Sequence, residues 1–277
     1  MITYCGAMTT PPRDVSAALE VYVSAATELE MQIAVAKLPG LTLTEELAVT
    51  MDGIPVQPEE IIGEHGSRIH RLQVWSGLVV VDYSAHIATP AYPVPVLPTD
   101  RSIYLRPSRY AECDKFFGFA AGQFDASLPP AVLLNQVADF VEARLKYIPG
   151  ASDPIDGAVD TLLAGAGVCR DFGHLAVALL RALNIPARLV AVYAPGCSPM
   201  DFHAVAEASI DNEWVAVDPT RLAPRQSLVR IATGRDAADI AFLDNHRGQI
   251  NLNYYQVFAT VDGDLPIDTG RERVRLG

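Results

Sequence analysis

The chain has 277 residues, half of them hydrophobic, with a formal net charge of −12 when the histidines are neutral. That length suits one large domain or two ordinary ones, and the apolar fraction excludes a disordered chain. The acidic balance weighs against nucleic acid and anionic membrane as partners, because both call for basic surface.

Residues 1–14 hold Pro11, Pro12, Arg13 and Asp14 and no apolar run of secretory-leader length. No segment approaches the roughly eighteen consecutive apolar residues of a membrane span, so a cytoplasmic location is the expectation. The four cysteines, Cys5, Cys113, Cys169 and Cys197, are widely spaced, and reduced thiols rather than a disulfide framework are expected.

Residues 15–92 read as strands of an N-terminal β-sandwich. Leu29, Met31, Ile33 and Val35 alternate with polar or small residues. Two turn signals suggest hairpins, Asp52-Gly53 between 46–51 and 54–56, and Ser76-Gly77 between 68–75 and 78–89. Five prolines between Pro90 and Pro107 then predict an extended connector. The expected division is a β-sandwich over 1–92, a proline-rich connector over 93–107 and a second domain over 108–277.

The second domain opens with helices: one from Ser108 to about Phe124, one beginning near Pro129 and Pro130 and ending before Pro149-Gly150, and a short one over 155–163. A Gly165-Ala166-Gly167 break precedes a strongly apolar helix over 168–183, which Asn184 and Pro186 terminate. Strands are predicted at 187–193, 203–210 and 213–217, with Asp211-Asn212 turning the last two, and a final strand at 252–261. Helices followed by antiparallel strands make an α+β domain.

Cys169 begins the apolar helix. A helix N-terminus carries positive partial charge and unpaired amides, which favour a sulfur anion and can hold an oxyanion. A thiol nucleophile needs a base, and the base needs an orienting acceptor. His203 opens a strand after a loop, and Asp218 closes its hairpin partner. Antiparallel pairing brings these two ends together. Cys169, His203 and Asp218 are therefore the catalytic candidates. The Cys169 amide is the natural oxyanion donor, and the residues name no second one.

The stretches Gly167-Val168-Cys169-Arg170-Asp171-Phe172-Gly173-His174-Leu175, Leu183-Asn184-Ile185-Pro186-Ala187-Arg188, His203-Ala204, Trp214 and Asp218-Pro219-Thr220 resemble the bacterial transglutaminase-like superfamily. So do Tyr104–Tyr110 and Gly234–Asp239. The resemblance implies a papain-like core behind a β domain, with a Cys-His-Asp triad carried by Cys169, His203 and Asp218. It implies acyl transfer from a peptide or protein amide through a thioester. Hydrolysis is the first expectation, with amine transfer and a non-catalytic binding module as alternatives. Val205 stands where the family has tryptophan, two residues after the histidine, so a different cleft wall is expected.

No cofactor or metal is expected. Gly165-x-Gly167 lacks the rest of a phosphate loop, and no Asp-x-Asp-x-Asp-Gly calcium loop or Gly-x-Ser-x-Gly elbow occurs. His65 and His70 read as surface histidines, His174 as a core histidine, Asp171 as a helix-start acid and Arg170 as the partner of a neighbouring carboxylate. Tyr104–Tyr110 either lines the cleft or packs the connector.

Overall fold

The structure, a computed structural model, describes residues 11–277. Cys5 and the first ten residues of the expected sandwich lie outside them. In chain order the strands before the connector are β1 (Arg13–Ala25), β2 (Thr27–Met31), β3 (Thr42–Met51), β4 (Ile54–Pro55), β5 (Glu59–Ile62), β6 (Arg68–Val74) and β7 (Gly77–Thr89). There follow α1 (Asp100–Tyr104), α2 (Phe117–Gln123), α3 (Pro130–Arg144), β8 (Lys146–Tyr147), α4 (Ala158–Ala164), β9 (Ala166–Gly167) and α5 (Cys169–Ala182). The chain ends with β10 (Ala187–Tyr193), β11 (His203–Ile210), β12 (Glu213–Val217), β13 (Val229–Gly234), β14 (Leu243–His246) and β15 (Gln249–Val261). No helix among the described residues is long and apolar enough to cross a membrane.

The class is α+β, as expected. Two sheets form the β unit, in the orders β15-β1-β7-β3-β4 and β14-β2-β6-β5, and a third, β12-β11-β10-β13, forms the core sheet. The sheets alternate in burial as two-layer packing requires. Along β7, Val79, Val81, Tyr83, Ala85 and Ile87 are buried. The Asp52-Gly53 turn closes β3 on β4 with both residues at positive φ, as a primed turn demands.

Several expectations give way. Ser76-Gly77 closes no hairpin: β6 and β7 lie in different sheets, so this is a corner where the chain changes layer. The Leu78 amide there donates to Asp52 Oδ1 at 2.8 Å. The expected helix from Ser108 is a run of turns until α2, because Cys113–Lys115 forms only a 3-10 turn. The connector contains α1. The final strand does not belong to the core sheet. Long β15 pairs with β1 from Val261↔Arg13 to Gln249↔Ala25, and β14 pairs with β2, so the chain's end returns to complete the β unit.

The β unit and core share one continuous interior. Tyr193 Oη donates to the Ile33 carbonyl at 2.7 Å, and the Ala36 amide donates to the Arg230 carbonyl at 2.9 Å. Helix α5 lies against β10 and β11 with twelve of its residues buried. Gly173 is required there, since a Cβ would strike the Leu189 side chain. Arg181, buried near the end of α5, donates to the carbonyls of Ala187, Arg106 and Arg235 and so ties the connector to the helix. Burial pushes its pKa down to about 10.

Candidate active site

Cys169 is the first residue of α5. The Asp171 carboxylate accepts from the amide of Val168, the capping residue, at 2.8 Å. That cap fixes where the helix begins and so where the sulfur stands. Gly167 is needed beside it, because a Cβ would collide with Asp171. Arg170 turns away and donates to the Asp153 carbonyl at 2.7 Å, with Asp171 at 3.4 Å. As the first helical residue, Cys169 offers an amide with no intrahelical partner.

The Cys169 thiol reaches the Phe202 carbonyl at 3.8 Å. Phe202 immediately precedes His203, so sulfur and imidazole meet at the same end of β11. The β11–β12 hairpin, turned by Asp211 and Asn212 at positive φ, pairs Ala206 with Val217 and puts Asp218 alongside the strand start. His203 Nε2 and Asp218 Oδ2 are 2.8 Å apart, with both side chains about 1% exposed. Thr220 holds the other oxygen, Oδ1, through its amide at 3.0 Å and its hydroxyl at 2.7 Å. Nδ1 is thereby the ring nitrogen that Asp218 does not engage.

The electrostatics agree with this arrangement. Burial opposes a charged ring, but the Asp218 charge and hydrogen bond, with a further hydrogen-bonding contact from Cys169, raise the His203 pKa well above its ordinary value. Burial likewise opposes the Asp218 anion, and His203 and Thr220 outweigh it and lower that pKa. The His203 contribution to stability is full below the ordinary histidine value and is lost as pH rises through the elevated one. The Asp218 contribution is full above the ordinary carboxylate value and is lost as pH falls through the depressed one. The pair therefore stabilises the fold most between about pH 4 and 6.5.

Three residues around the sulfur carried no signal in the sequence. Tyr147 pairs with Gly167 across the parallel β8–β9 ladder, and its ring lies 5.9 Å from that of Phe172 over the first turn of α5. Burial, then the nearby Cys169, Cys197 and Asp201, raise its pKa, while the Cys169 amide acts the other way. Asp201 lies two residues before His203, and Tyr255 reaches it from β15 at 3.1 Å. Asp201 and Tyr255 are 54 positions apart and share no motif.

The remaining expectations resolve as follows. His174 is fully buried, accepts from the Ala237 amide at 3.1 Å and stacks on Tyr110, and burial drives its pKa down to about 3. Tyr104 packs edge-on against Trp214 at 5.4 Å and is buried, so this segment packs the connector. His70 is not a surface residue: it is buried with Glu60 at 3.7 Å, and half-buried His65 bonds Tyr104 at 2.8 Å. Val205 packs with Val190, Val192 and Ala216 and does not line the cleft. Among the described residues one group, Glu28, Glu30 and His246, gathers metal-type ligand atoms within 4.8 Å of one another. It lies on the β unit, where Arg71 already answers Glu30 at 2.7 Å and Glu28 at 3.5 Å.

Comparison with known proteins gives a full-length structural match and several partial sequence matches. The Transglutaminase-like superfamily profile matches residues 119–219, from α2 through the residue after Asp218. A solved structure of a proposed cysteine protease from Cytophaga hutchinsonii is 32% identical, with a TM-score of 0.84 over 94% of this chain and 93% of that one. An uncharacterized protein of Mycobacterium tuberculosis is 32% identical over 151 residues, 49% of this chain and 47% of that protein. Another, from Mycobacterium leprae, is 27% identical over 149 residues, 50% and 52% of the two chains. The chain spans about half the length of these curated relatives. The full-length likeness to the Cytophaga structure joins the profile match on the segment that carries the cysteine, histidine and aspartate, and the chain belongs to the transglutaminase-like superfamily.

Proposed function

We propose that the protein hydrolyses a peptide or protein amide through a thioester on Cys169. The observation that carries this reading is the meeting of the helix-tip sulfur with a buried His203–Asp218 pair at one strand end. His203 takes the thiol proton, and the sulfur attacks the amide carbon. The resulting oxyanion is held by the Cys169 amide and by the Tyr147 hydroxyl beside it. The C–N bond then breaks, and His203 returns the proton to the departing amine. Water, relieved of a proton by the same imidazole, attacks the thioester. It releases a carboxylic acid and restores the thiol. Asp218 keeps Nε2 protonated and stabilises the imidazolium formed at each step.

The test is incubation with a glutamine-containing peptide and a labelled primary amine across a pH series. Hydrolysis predicts peptide cleavage or ammonia release with no label in the peptide; label incorporation as the main product would replace hydrolysis with amine transfer. The pH profile tests the site itself. Because Asp218 raises the histidine, the alkaline limb should fall above the ordinary histidine value. Asp218→Asn removes the anion and leaves the opposing effect of burial, so its limb should move to lower pH. A limb at the same pH in both proteins would show that His203 is not the group titrating.

A further inference from the structure

We propose that Asp201 and Tyr255 form a cation-binding subsite beside Cys169, which selects amides that lie next to a lysine or arginine side chain. The proposal rests on the thiol reading above and names the substrate class of that site.

Asp201 is held at the mouth of the site. Its Oδ1 accepts from the Phe202 amide at 2.7 Å, and the Phe202 carbonyl is the group that the Cys169 sulfur touches at 3.8 Å. Burial raises the pKa of the Tyr147 and Tyr255 phenols, and Asp201 and Cys169 are both near enough to push each of them further up, so the carboxylate and the sulfur border the same space. Oδ2 accepts from Tyr255 Oη at 3.1 Å. A carboxylate offers about four acceptor positions, so two contacts leave room for more. The side chain is half-buried and so remains reachable.

Its charge is poorly compensated. Burial raises the Asp201 pKa against the combined pull of the Phe202 amide, the Tyr255 hydroxyl and His203. Two other half-buried carboxylates are differently placed: Glu45 is answered by Arg68 at 2.6 Å and Asp268 by Arg225 at 2.8 Å. A lysine ammonium or arginine guanidinium from substrate would give Asp201 what these residues already have. The net charge of −12 would attract such a substrate to the cleft.

The β unit aims the second residue. Strand β15 is the edge of its sheet, and its register with β1 skips Asn253 between Val21↔Leu252 and Glu20↔Tyr254. This bulge breaks the alternation of burial, leaving Asn253, Tyr254, Tyr255 and Gln256 exposed in succession. Bulges re-aim side chains beside active sites. Phe242 braces the Tyr255 ring at 6.0 Å and stacks on Phe202 at 4.8 Å. The aromatic face of Tyr255 is then available to a cation drawn to Asp201. This gives the returning C-terminal strand a role in substrate choice.

The experiment compares peptidyl chloromethyl ketones that alkylate Cys169 with loss of chloride. The residue bearing the ketone is lysine, glutamine or glutamate in N-acetylated probes, with a fourth probe carrying glutamine and a free α-amine. Labelling at Cys169 is followed by peptide mass spectrometry. The wild type should react with the acetyl-lysine probe at least about tenfold faster than with the acetyl-glutamine probe, and slowest with glutamate. In Asp201→Asn, whose amide can still accept from Phe202 and bond Tyr255, the lysine-to-glutamine ratio should fall to near one. Equal wild-type rates, or a ratio that survives in Asp201→Asn while all rates drop together, would overturn the subsite and leave Asp201 a loop tether. Acceleration by the free-amine probe alone would overturn the side-chain assignment in favour of a terminal amine. Absence of Cys169 labelling by every probe would overturn the thiol reading, and this proposal with it.

Discussion

Cys169→Ala should abolish turnover while leaving the fold and its stability close to those of the parent. The side chain contributes one sulfur at the tip of α5 and makes only weak contacts, to the Phe202 carbonyl and to His203. The helix start is fixed instead by the Asp171 cap and by packing of Phe172 and Leu175, none of which the substitution touches. Removing the nucleophile of a covalent mechanism costs at least about four orders of magnitude in rate, because the remaining groups cannot form the thioester. The check is steady-state turnover on the true substrate together with a thermal melt. Substantial activity in a well-folded Cys169→Ala protein would remove the sulfur from the mechanism. Asp218→Asn should cost less than Cys169→Ala, since control of the imidazole tautomer is partly replaceable. An equal or larger loss would point to a structural role for Asp218.

Glu207→Gln should be the most destabilising single change at a site remote from the sulfur, by about 3–5 kcal/mol. Glu207 lies on β11 directly across from Arg188 on β10 and also answers Arg230 on β13. Its carboxylate is 2.7 Å from Arg188 and 2.6 Å from Arg230, and all three side chains are at most about 1% exposed. Arg188 also lies over the Trp214 ring at 3.8 Å. Burial by itself would neutralise Glu207, but the charges and hydrogen bonds of Arg230 and Arg188 hold its pKa well below the usual value. The substitution keeps shape and removes the anion, so two guanidinium groups stay buried beside a neutral amide. Urea denaturation gives the readout, with Arg273→Gln as the control, since Arg273 pairs with Asp211 at an exposed site. Comparable midpoints for the two variants would contradict a structural role for the buried triad. The Glu207 effect also fixes a sign: its stabilisation is present above the ordinary glutamate value and disappears as pH falls through the depressed one.

What could be read from the sequence was the local chemistry. The α5 helix shows an apolar stripe with a stop at Asn184, which takes positive φ, and Pro186. The β11–β12 hairpin shows a turn pair that tolerates left-handed backbone, and that pattern alone sets His203 beside Asp218. Alternation reveals that a segment is a strand but not which strand it pairs with. For that reason β15 was legible as a strand and not as the partner of β1, some 240 residues away. Ser76-Gly77 failed for a related reason, since the same turn residues serve a hairpin and a change of layer. The contributions of Tyr147, Asp201 and Tyr255 depend on tertiary approach. The Arg188–Glu207 pair leaves a trace in the sequence, because charged residues within apolar strands require buried partners.

The central claim is that His203 activates Cys169, and one chain carries its own controls. Cys197 is slightly more buried than Cys169, at 6% against 9% exposed, and Cys113 is fully buried. Burial pushes both of these other thiols up in pKa. Site-resolved labelling by iodoacetamide at neutral pH should modify Cys169 at least about a hundredfold faster than Cys197 or Cys113 in the parent protein. In folded His203→Ala the advantage should largely vanish. A Cys169 that reacts no faster than Cys197, or that keeps its full advantage without the imidazole, would contradict the account.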